Sequence, residues 1–374
     1  MQKKVNQLKM GTILSYLSIV IQSLSAIIYT PVMLRLLGQN EYGLYQLGSS
    51  AVSYLSLLSF GFNSSYVKFY FEYKVKGEEE KIRRLNSIFL LVFCCLAIVS
   101  CIVGGVMIAS ANLIFNSSLS PADVHQVRIL MFVLVLSTAL TFPNIIFDCY
   151  ITAHEKYIFQ RLILIGATVL LPILTLPLLY MGYKSTALVA VNLFISVFRT
   201  VMNVYYCFVK LEMKFQFHGM QLKVLKNVGS FSIFIFLNEI ASQINWNVDK
   251  VILGAVQGAS VVAVYSVGSQ FNQYFINMST AVSNVFIPRV NKMVAERQGD
   301  DALTALFIKI GRVQYVVLSA ILGGYLLYGK FFIMKWAGEG YDAAYYVGAL
   351  VMIPAIIPLI QNIGIEIQKA KNMH

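Results

Sequence analysis

The sequence predicts an all-α membrane protein with about ten transmembrane helices in two lobes, and three observations support this fold class. The first is composition: 58% of the 374 residues are hydrophobic and 12% are charged, against about 45–50% and about 25% in soluble domains. The second is a series of roughly ten apolar stretches, each long enough to cross a ~30 Å hydrocarbon core. The third is the distribution of positive charge. Together they exclude a soluble enzyme, a nucleic-acid-binding domain and a disulfide-stapled secreted module.

The apolar stretches give the order of the elements. Backbone groups in lipid must be hydrogen-bonded within their own segment, so each stretch is predicted to be a helix. The ten predicted spans are 11–34, 43–66, 86–109, 127–148, 162–182, 186–209, 229–250, 259–287, 313–334 and 343–367.

The lysines and arginines predict the orientation. If the N-terminus is cytoplasmic, 22 of the 29 basic residues lie on cytoplasmic segments and six on external segments, with Arg199 alone inside a span. The positive-inside rule therefore predicts that both termini are cytoplasmic. The net charge of +12 is then explained by orientation and by contact with anionic membrane lipids. A nucleic-acid partner is not expected.

Residues with catalytic chemistry are scattered. The five cysteines and four histidines show no metal-ligand or disulfide-framework spacing. The chain also lacks a Gly-rich phosphate loop that would open a helix after a strand. The sequence therefore predicts no enzyme activity, no metal and no cofactor, and leaves open a proton or a sodium ion as coupling ion.

Two similar passages predict an internal repeat. Residues 45–49 read Tyr-Gln-Leu-Gly-Ser, and residues 265–269, offset by 220, read Tyr-Ser-Val-Gly-Ser. A Leu-Gly pair precedes each, at 37–38 and at 253–254, which places about four extra residues in the second connection. Repeats of this kind are common in transporters and imply two lobes in parallel orientation, related by an axis along the membrane normal.

The repeat predicts the domain division. We expect an N-terminal lobe of six helices at 1–209, a basic cytoplasmic linker at 210–228 and a C-terminal lobe at 229–374. The second lobe supplies four helices before His374. It is therefore predicted to lack its last two helices, and the sequence leaves open whether the chain is a fragment or a natural short form.

Polar side chains fall on single faces of several predicted helices, at the three- and four-residue spacing that stacks side chains on one side. Serines alone, as on the second span, favour close helix packing. Amide and acidic side chains are too costly in hydrocarbon for that role, so they predict a hydrated cavity between the lobes. The candidate cavity residues are Gln22, Ser25, Arg199, Asn238, Glu239, Gln243, Asn245, Asp249, Lys250, Gln270, Gln273 and Asn277.

Arg199 and Glu239 are full charges at a similar predicted depth, each about ten residues from the cytoplasmic end of its span, which is about 15 Å at 1.5 Å per residue. Intramembrane ions usually face a bundle interior or water and find partners. Two interpretations stay open. The pair forms a lobe-to-lobe brace, or Arg199 contacts an anionic substrate group while Glu239 carries a coupling proton.

The junction of the first two spans carries the most specific resemblance. Residues 31–45 contain the core Leu37-Gly38-x-x-Glu41-Tyr42-Gly43, which resembles the polysaccharide repeat-unit flippases of the multidrug/oligosaccharidyl-lipid/polysaccharide exporter superfamily. Further matches lie along the rest of the chain, at 60–65, 247–254, 265–268, 286–289 and 336–341. Family members usually have twelve to fourteen helices, so this chain departs from the pattern.

The resemblance implies a flippase of the bacterial inner membrane. Such a protein moves an undecaprenyl-diphosphate-linked oligosaccharide to the external leaflet for O-antigen, capsule or exopolysaccharide assembly, by rocking of two lobes around a central cavity. Its partners would be the lipid-linked oligosaccharide, membrane lipids and other polysaccharide-assembly proteins.

Other functions stay open at this stage. A cation-coupled multidrug exporter and a peptidoglycan-precursor flippase share the architecture, although the first would need more acidic cavity residues than Glu239. A non-transporting membrane scaffold of a polysaccharide synthesis complex is a further alternative.

Overall fold

The computed structural model describes residues 7–59, 62–218 and 223–371, and these ranges hold twelve α-helices and no strand. The helices are α1 Gln7–Leu37, α2 Gln39–Ser53, α3 Phe62–Val75, α4 Glu79–Phe115, α5 Pro121–Ala153, α6 Tyr157–Tyr180, α7 Lys184–Tyr205, α8 Lys223–Gln257, α9 Ala259–Ala295, α10 Asp300–Ala337, α11 Asp342–Ile360 and α12 Asn362–Ala370. A 3₁₀ segment, Tyr54–Ser59, follows α2, and one π-helical stretch, Tyr206–Lys210, follows α7.

The helices have the length and surface of membrane-crossing segments. Within the described residues, seven segments are long and apolar enough to cross a bilayer: Ile13–Leu37, Glu79–Phe115, Pro121–Ala153, Tyr157–Tyr180, Lys184–Lys210, Asp300–Ala337 and Asp342–Ala370. Large apolar side chains such as Ile28, Leu113 and Leu327 are exposed on them, as expected for surfaces that contact lipid. The chain is therefore an all-α, multi-pass membrane protein, as the composition predicts.

The remaining predicted spans correspond to more polar helices. Helices α8 and α9 have 35 and 37 residues, more than the ~20 that a bilayer needs, but they carry the polar stripes that reduce their hydropathy. The predicted span 343–367 is not one continuous helix, because α11 ends at Ile360 and α12 begins at Asn362. The predicted span 43–66 is also wrong as a single helix, because α2 gives way to the 3₁₀ segment before α3 begins. There the Ser53 and Ser56 hydroxyls donate to the carbonyls of Ser50 and Ser53, each at 2.7 Å. Such back-bonding competes with the helical pattern and often bends helices.

The described chain divides into two compact units, Met1–Val262 and Ala263–His374. In the first unit, one buried cluster contains Leu47, Leu130 and Met131. A second buried cluster of this unit contains Tyr66 and Phe89. The first unit thus includes α8 and the start of α9. The predicted lobes, 1–209 and 229–374, were defined by the sequence repeat and not by compactness, so they stay a prediction.

The second unit has its own core. Phe275 of α9, Leu318 of α10 and Met352 of α11 form one buried cluster. Val290 and Ile310 belong to another. Each helix therefore buries one side against its neighbours and leaves the other for lipid or water.

Matching positions in the two halves support the internal repeat. Gly38 and Gly258 have φ of 77° and 88°, a left-handed conformation that glycine adopts without steric cost, and they join α1 to α2 and α8 to α9. They are 220 residues apart, the same offset as residues 45–49 and 265–269. The predicted match of Gly38 with Gly254 is therefore wrong. Gly254 lies inside α8. With Gly258 as the match of Gly38, the turn glycine and the Tyr-x-x-Gly-Ser passage are separated by the same number of residues in both copies.

Candidate functional site

The helices of the first unit bring two groups of residues together, one at each of its ends. The motif end carries residues 37–43, 115–121, 180–185 and 254–259, and the linker end carries residues 70–86, 150–157 and 205–217.

The motif end is held by close backbone contacts. A Cβ atom on Gly43 would lie 1.8 Å from the Ala259 carbonyl oxygen, so α2 and the first turn of α9 approach as closely as a glycine allows. The Ser118 hydroxyl donates to the Gly254 carbonyl at 2.6 Å, and the Ser117 hydroxyl donates to the Ala255 carbonyl at 3.4 Å. Both carbonyls lie in the last turn of α8, where helical partners are missing.

Glu41 of the family-like core links three helices at this end. Its carboxylate accepts from the buried Ser185 hydroxyl and pairs with Lys184, Oε1 to Nζ at 3.3 Å. Gln126 of α5 donates to the Ser185 hydroxyl at 3.1 Å. The motif residues are thus used for helix packing at the motif end.

The predicted cavity residues of α1, α7 and α8 differ in burial. Gln22 is exposed and Ser25 is half-buried. Arg199 is half-buried on α7, and its Nε atom is buried without a hydrogen-bond partner. Glu239 is exposed on α8. Among the described residues no ion pair joins Arg199 to Glu239, so the predicted brace is not formed in this conformation.

Gln243 of α8 takes part in several hydrogen bonds. Its Nε2 donates to the Ser56 hydroxyl at 3.0 Å, and its Oε1 accepts from Asn247 Nδ2 at 2.7 Å. Ser53 Oγ also lies 3.3 Å from that oxygen. The serines of the second span therefore contact α8 through hydrogen bonds, in addition to packing. Asn247 belongs to the family-like passage 247–254 but was not predicted as a cavity residue, although it lies one helical turn after Gln243.

The other predicted residues of α8 differ in exposure, and one of them is outside the described part. Asn245 and Asp249 are exposed and Lys250 is half-buried. The side chain of Asn238 lies outside the described residues.

In the second unit, the predicted residues pair along α9. Gln270 Nε2 donates to the Tyr274 hydroxyl at 2.7 Å, and Gln273 Nε2 donates to Asn277 Oδ1 at 3.1 Å. Gln273 and Asn277 are exposed, so this stripe lies away from the core of its own unit.

A buried polar cluster of the second unit was missed. Gln314 Nε2 is 2.6 Å from the Ser283 hydroxyl and 3.2 Å from the Ser279 hydroxyl, and all three residues are buried. Asn362 Nδ2 also reaches the Ser279 hydroxyl at 3.3 Å. In the sequence, Gln314 is a polar residue near the start of an apolar span, and nothing in the pattern reveals that its partners lie on another span.

The comparisons with known proteins agree with this architecture. A family model described as polysaccharide biosynthesis protein matches residues 8–294. A Shigella flexneri protein, provisionally described as an O-antigen transporter, is 21% identical over 339 residues, which are 86% of this chain and 77% of that protein.

Two solved structures show the same fold. One is the inward-facing conformation of a multidrug resistance MATE family transporter of the MOP superfamily, with a TM-score of 0.68, 14% identity, and coverage of 92% of this chain and 82% of that one. The other is the lipid II flippase MurJ in an inward closed conformation, with a TM-score of 0.67, 14% identity, and coverage of 97% and 75%. The family and fold that the resemblance implied are confirmed.

Proposed function

The chain belongs to the polysaccharide biosynthesis protein family, and we propose that it is a flippase for an undecaprenyl-diphosphate-linked oligosaccharide. It would move this lipid across the bacterial inner membrane for surface polysaccharide assembly, with both termini cytoplasmic. The O-antigen transporter description of its relative supports the substrate class. The proposal gives the chain no catalytic role.

Arg199 is the observation that carries the proposal. A charge inside a membrane-crossing helix is costly and usually has a functional partner, yet the buried Nε of Arg199 has no hydrogen-bond partner. A guanidinium has a planar set of donors that matches phosphate oxygens. We infer that Arg199 binds the diphosphate when substrate enters.

Amide and hydroxyl side chains would form hydrogen bonds with the sugar part of the substrate. Gln243, Ser56 and Asn247 already exchange hydrogen bonds, and sugar hydroxyls can take the place of such partners. The lipid tail would remain in the bilayer. Rocking of the two lobes would then expose the headgroup to one side at a time, and the exposed carboxylate of Glu239 is the candidate for proton or sodium coupling.

Transport in reconstituted vesicles tests the proposal. Purified protein is placed in vesicles that contain a fluorescent undecaprenyl-diphosphate oligosaccharide, and its movement is followed by protection from a membrane-impermeant quencher. We expect the wild type to accelerate movement, Arg199→Ala to lose about tenfold or more of that rate, and Arg199→Lys to retain part, because a lysine lacks the bidentate fork.

A second arginine provides the control. Arg161 of α6 is also half-buried, and Arg161→Ala should transport like the wild type. A wild-type rate equal to that of empty vesicles would reject transport and favour the scaffold alternative. If lipid II moves faster than the oligosaccharide lipid, the result favours a peptidoglycan-precursor flippase. If a cationic drug moves faster, the result favours a multidrug exporter.

A further inference from the structure

A pocket of about 420 Å³ lies at the linker end of the first unit. Its lining comes from the end of α3, the start of α4, the end of α5 and residues 211–214 of the linker. None of its described lining residues belongs to α7, so the pocket is separate from Arg199. Its volume falls within the range of about 300–1,000 Å³ that is typical of small-molecule sites.

One side of the pocket carries a neutral histidine that is hydrogen-bonded through both ring nitrogens. His154 Nδ1 lies 2.9 Å from the Tyr150 carbonyl, which can only accept, so Nδ1 carries the proton. The Tyr70 hydroxyl, 3.1 Å from Nε2, then donates to that nitrogen. Burial lowers the pKa of His154, and the positive charges of Lys74 and Lys156 lower it further, while the Tyr150 hydrogen bond opposes them. The imidazole therefore adds no charge to the pocket near pH 7.

A buried asparagine holds the linker against the pocket. Asn86 Oδ1 accepts from the Tyr66 hydroxyl at 2.7 Å, and Asn86 Nδ2 donates to the Lys214 carbonyl at 3.0 Å. Ser87 accepts from the Gln216 backbone N–H at 2.7 Å. These bonds fix the backbone at Lys214, so its side chain is presented to the pocket by an ordered segment.

Cations exceed carboxylates on the lining. Lys74, Arg83 and Lys214 face Glu79 and Glu212, which leaves a net charge of +1. Arg83 pairs with Glu79 at 3.5 Å. Within the described residues neither Lys74 nor Lys214 forms an ion pair. Two ammonium groups from different elements are thus available for one anion.

Lys74 is also held in position by an aromatic ring. Its Nζ atom lies 5.4 Å from the centroid of the Tyr70 ring, within the ~6 Å of a cation–π contact. Because the Tyr70 hydroxyl is fixed by His154, the ring under Lys74 is fixed as well.

We propose that this pocket binds a phosphate-bearing headgroup, with Lys74 and Lys214 as its charged contacts. Phosphate oxygens accept several hydrogen bonds, and lysine is a common phosphate ligand as a point charge. The site is additional to the one at Arg199 and does not depend on transport. Its ligand can reach it as a soluble glycosyl diphosphate or as the headgroup of a polyprenyl phosphate in the bilayer.

The rise of the unfolding midpoint on titration with a ligand measures binding. The soluble probes are inorganic phosphate and UDP-N-acetylglucosamine, added to the purified full chain in detergent. The lipid probe is undecaprenyl phosphate in phosphatidylcholine nanodiscs, with phosphatidylcholine alone as the reference. A response to a soluble probe identifies the free ligand, and a response to the lipid probe alone identifies the membrane source.

Four lysine variants test the assignment. Lys74→Ala and Lys214→Ala should each need about tenfold more probe for the same rise, as expected for one charge-assisted hydrogen bond. Lys74→Arg should keep most of the response. Lys76→Ala is the matched control, because Lys76 follows α3, is not part of the lining and pairs with Glu72 at 2.7 Å.

Two results would overturn the proposal. One is the absence of a midpoint rise with every probe. The other is an unchanged response in the Lys74→Ala/Lys214→Ala double variant, whose midpoint without probe shows that it is folded. Because Arg199 is itself proposed to bind a diphosphate, the lysine variants are compared in an Arg199→Ala background, where a remaining response belongs to the pocket. A failed transport assay and an empty pocket are then separate outcomes.

Discussion

The two ends of the first unit use different kinds of contact. At the motif end, backbones meet directly: a Cβ atom on Gly43 would overlap the Ala259 carbonyl, and serine hydroxyls bind the last carbonyls of α8. At the linker end, side chains such as Asn86 and His154 bridge the segments and leave a pocket of about 420 Å³.

The difference shows what the family-like core does. Gly38, Glu41 and Gly43 provide a left-handed turn, an inter-helical carboxylate and a close approach, and each of these has a packing reason. The charged groups that can bind an anion lie elsewhere, at Arg199 and around the pocket. The residues most diagnostic of the family therefore mark the tightly packed end, and the candidate binding chemistry must be found from burial and pairing.

The largest expected effect is at the motif end. Gly43→Ala places a Cβ atom 1.8 Å from the Ala259 oxygen, and this backbone oxygen cannot move without shifting the start of α9. Overpacking of this kind costs about 1–3 kcal/mol, whereas Gly→Ala in an open helix position gains about 1 kcal/mol. We expect a lower unfolding midpoint and less extractable protein, measured by thermal unfolding in detergent.

Gly105→Ala is the control for this change. Gly105 lies within α4, and no atom would lie within 4 Å of its added Cβ. Its midpoint should equal or exceed that of the wild type. Equal midpoints for the two alanine variants would show that the motif end is looser than the structure indicates.

Much of the fold could be predicted from the sequence because lipid imposes a strong rule on apolar segments. Length and hydropathy located the apolar middle of the helices, and the polar residues that extend the helices at their ends were not included in the predicted spans. They did not locate the break at Tyr54–Ser59, because serine back-bonding depends on local geometry and leaves the apolar pattern intact. The positions of Gly38 and Gly258 agree with the offset of 220 residues, but the glycine of the second turn was misplaced. The pair Leu253-Gly254 matches Leu37-Gly38 in sequence, whereas the glycine that forms the turn follows Gln257.

The candidate site was less predictable. Periodicity identified Gln243 and the polar face of α8, but it could not show that Ser56 and Asn247 complete its hydrogen bonds. The pocket at the linker end was not predicted, because its lining comes from three segments that are distant in sequence, at 70–86, 150–154 and 211–214. The lysines of this end entered the sequence analysis only through the count of basic residues that predicts orientation. Such a count carries no information about which lysines form ion pairs in the fold.

A smaller effect is expected from the buried bridge at the linker end. Asn86→Leu leaves the buried Tyr66 hydroxyl and the Lys214 carbonyl without their partner, and each such group costs about 1–3 kcal/mol. The linker should separate from α4, so trypsin should cut faster after Lys214. Limited proteolysis of the purified protein measures this.

Two further variants sharpen the result. Adding Tyr66→Phe to Asn86→Leu removes one unpaired donor and should recover part of the stability. Asn116→Ala, at the exposed C-terminal end of α4, should leave the cleavage rate unchanged. If Asn86→Leu is cut no faster than Asn116→Ala, the asparagine does not hold the linker.

The smallest effect concerns pH at the linker end. The pKa of His154 is lowered in the folded protein, so the folded state binds fewer protons than the unfolded state in this range. The stabilisation is complete above about pH 6.5 and is lost as pH falls through the folded pKa, because a protonated Nε2 cannot accept from Tyr70. It amounts to less than about 1.4 kcal/mol per pKa unit, since the ring is half-exposed. On acidification from pH 7.5 to 5.5, the unfolding midpoint should fall further for the wild type than for the His154→Gln variant. The glutamine side chain stays neutral over this range, and the other titratable groups are the same in both proteins. Parallel curves for the two proteins would show that His154 does not couple the linker end to pH.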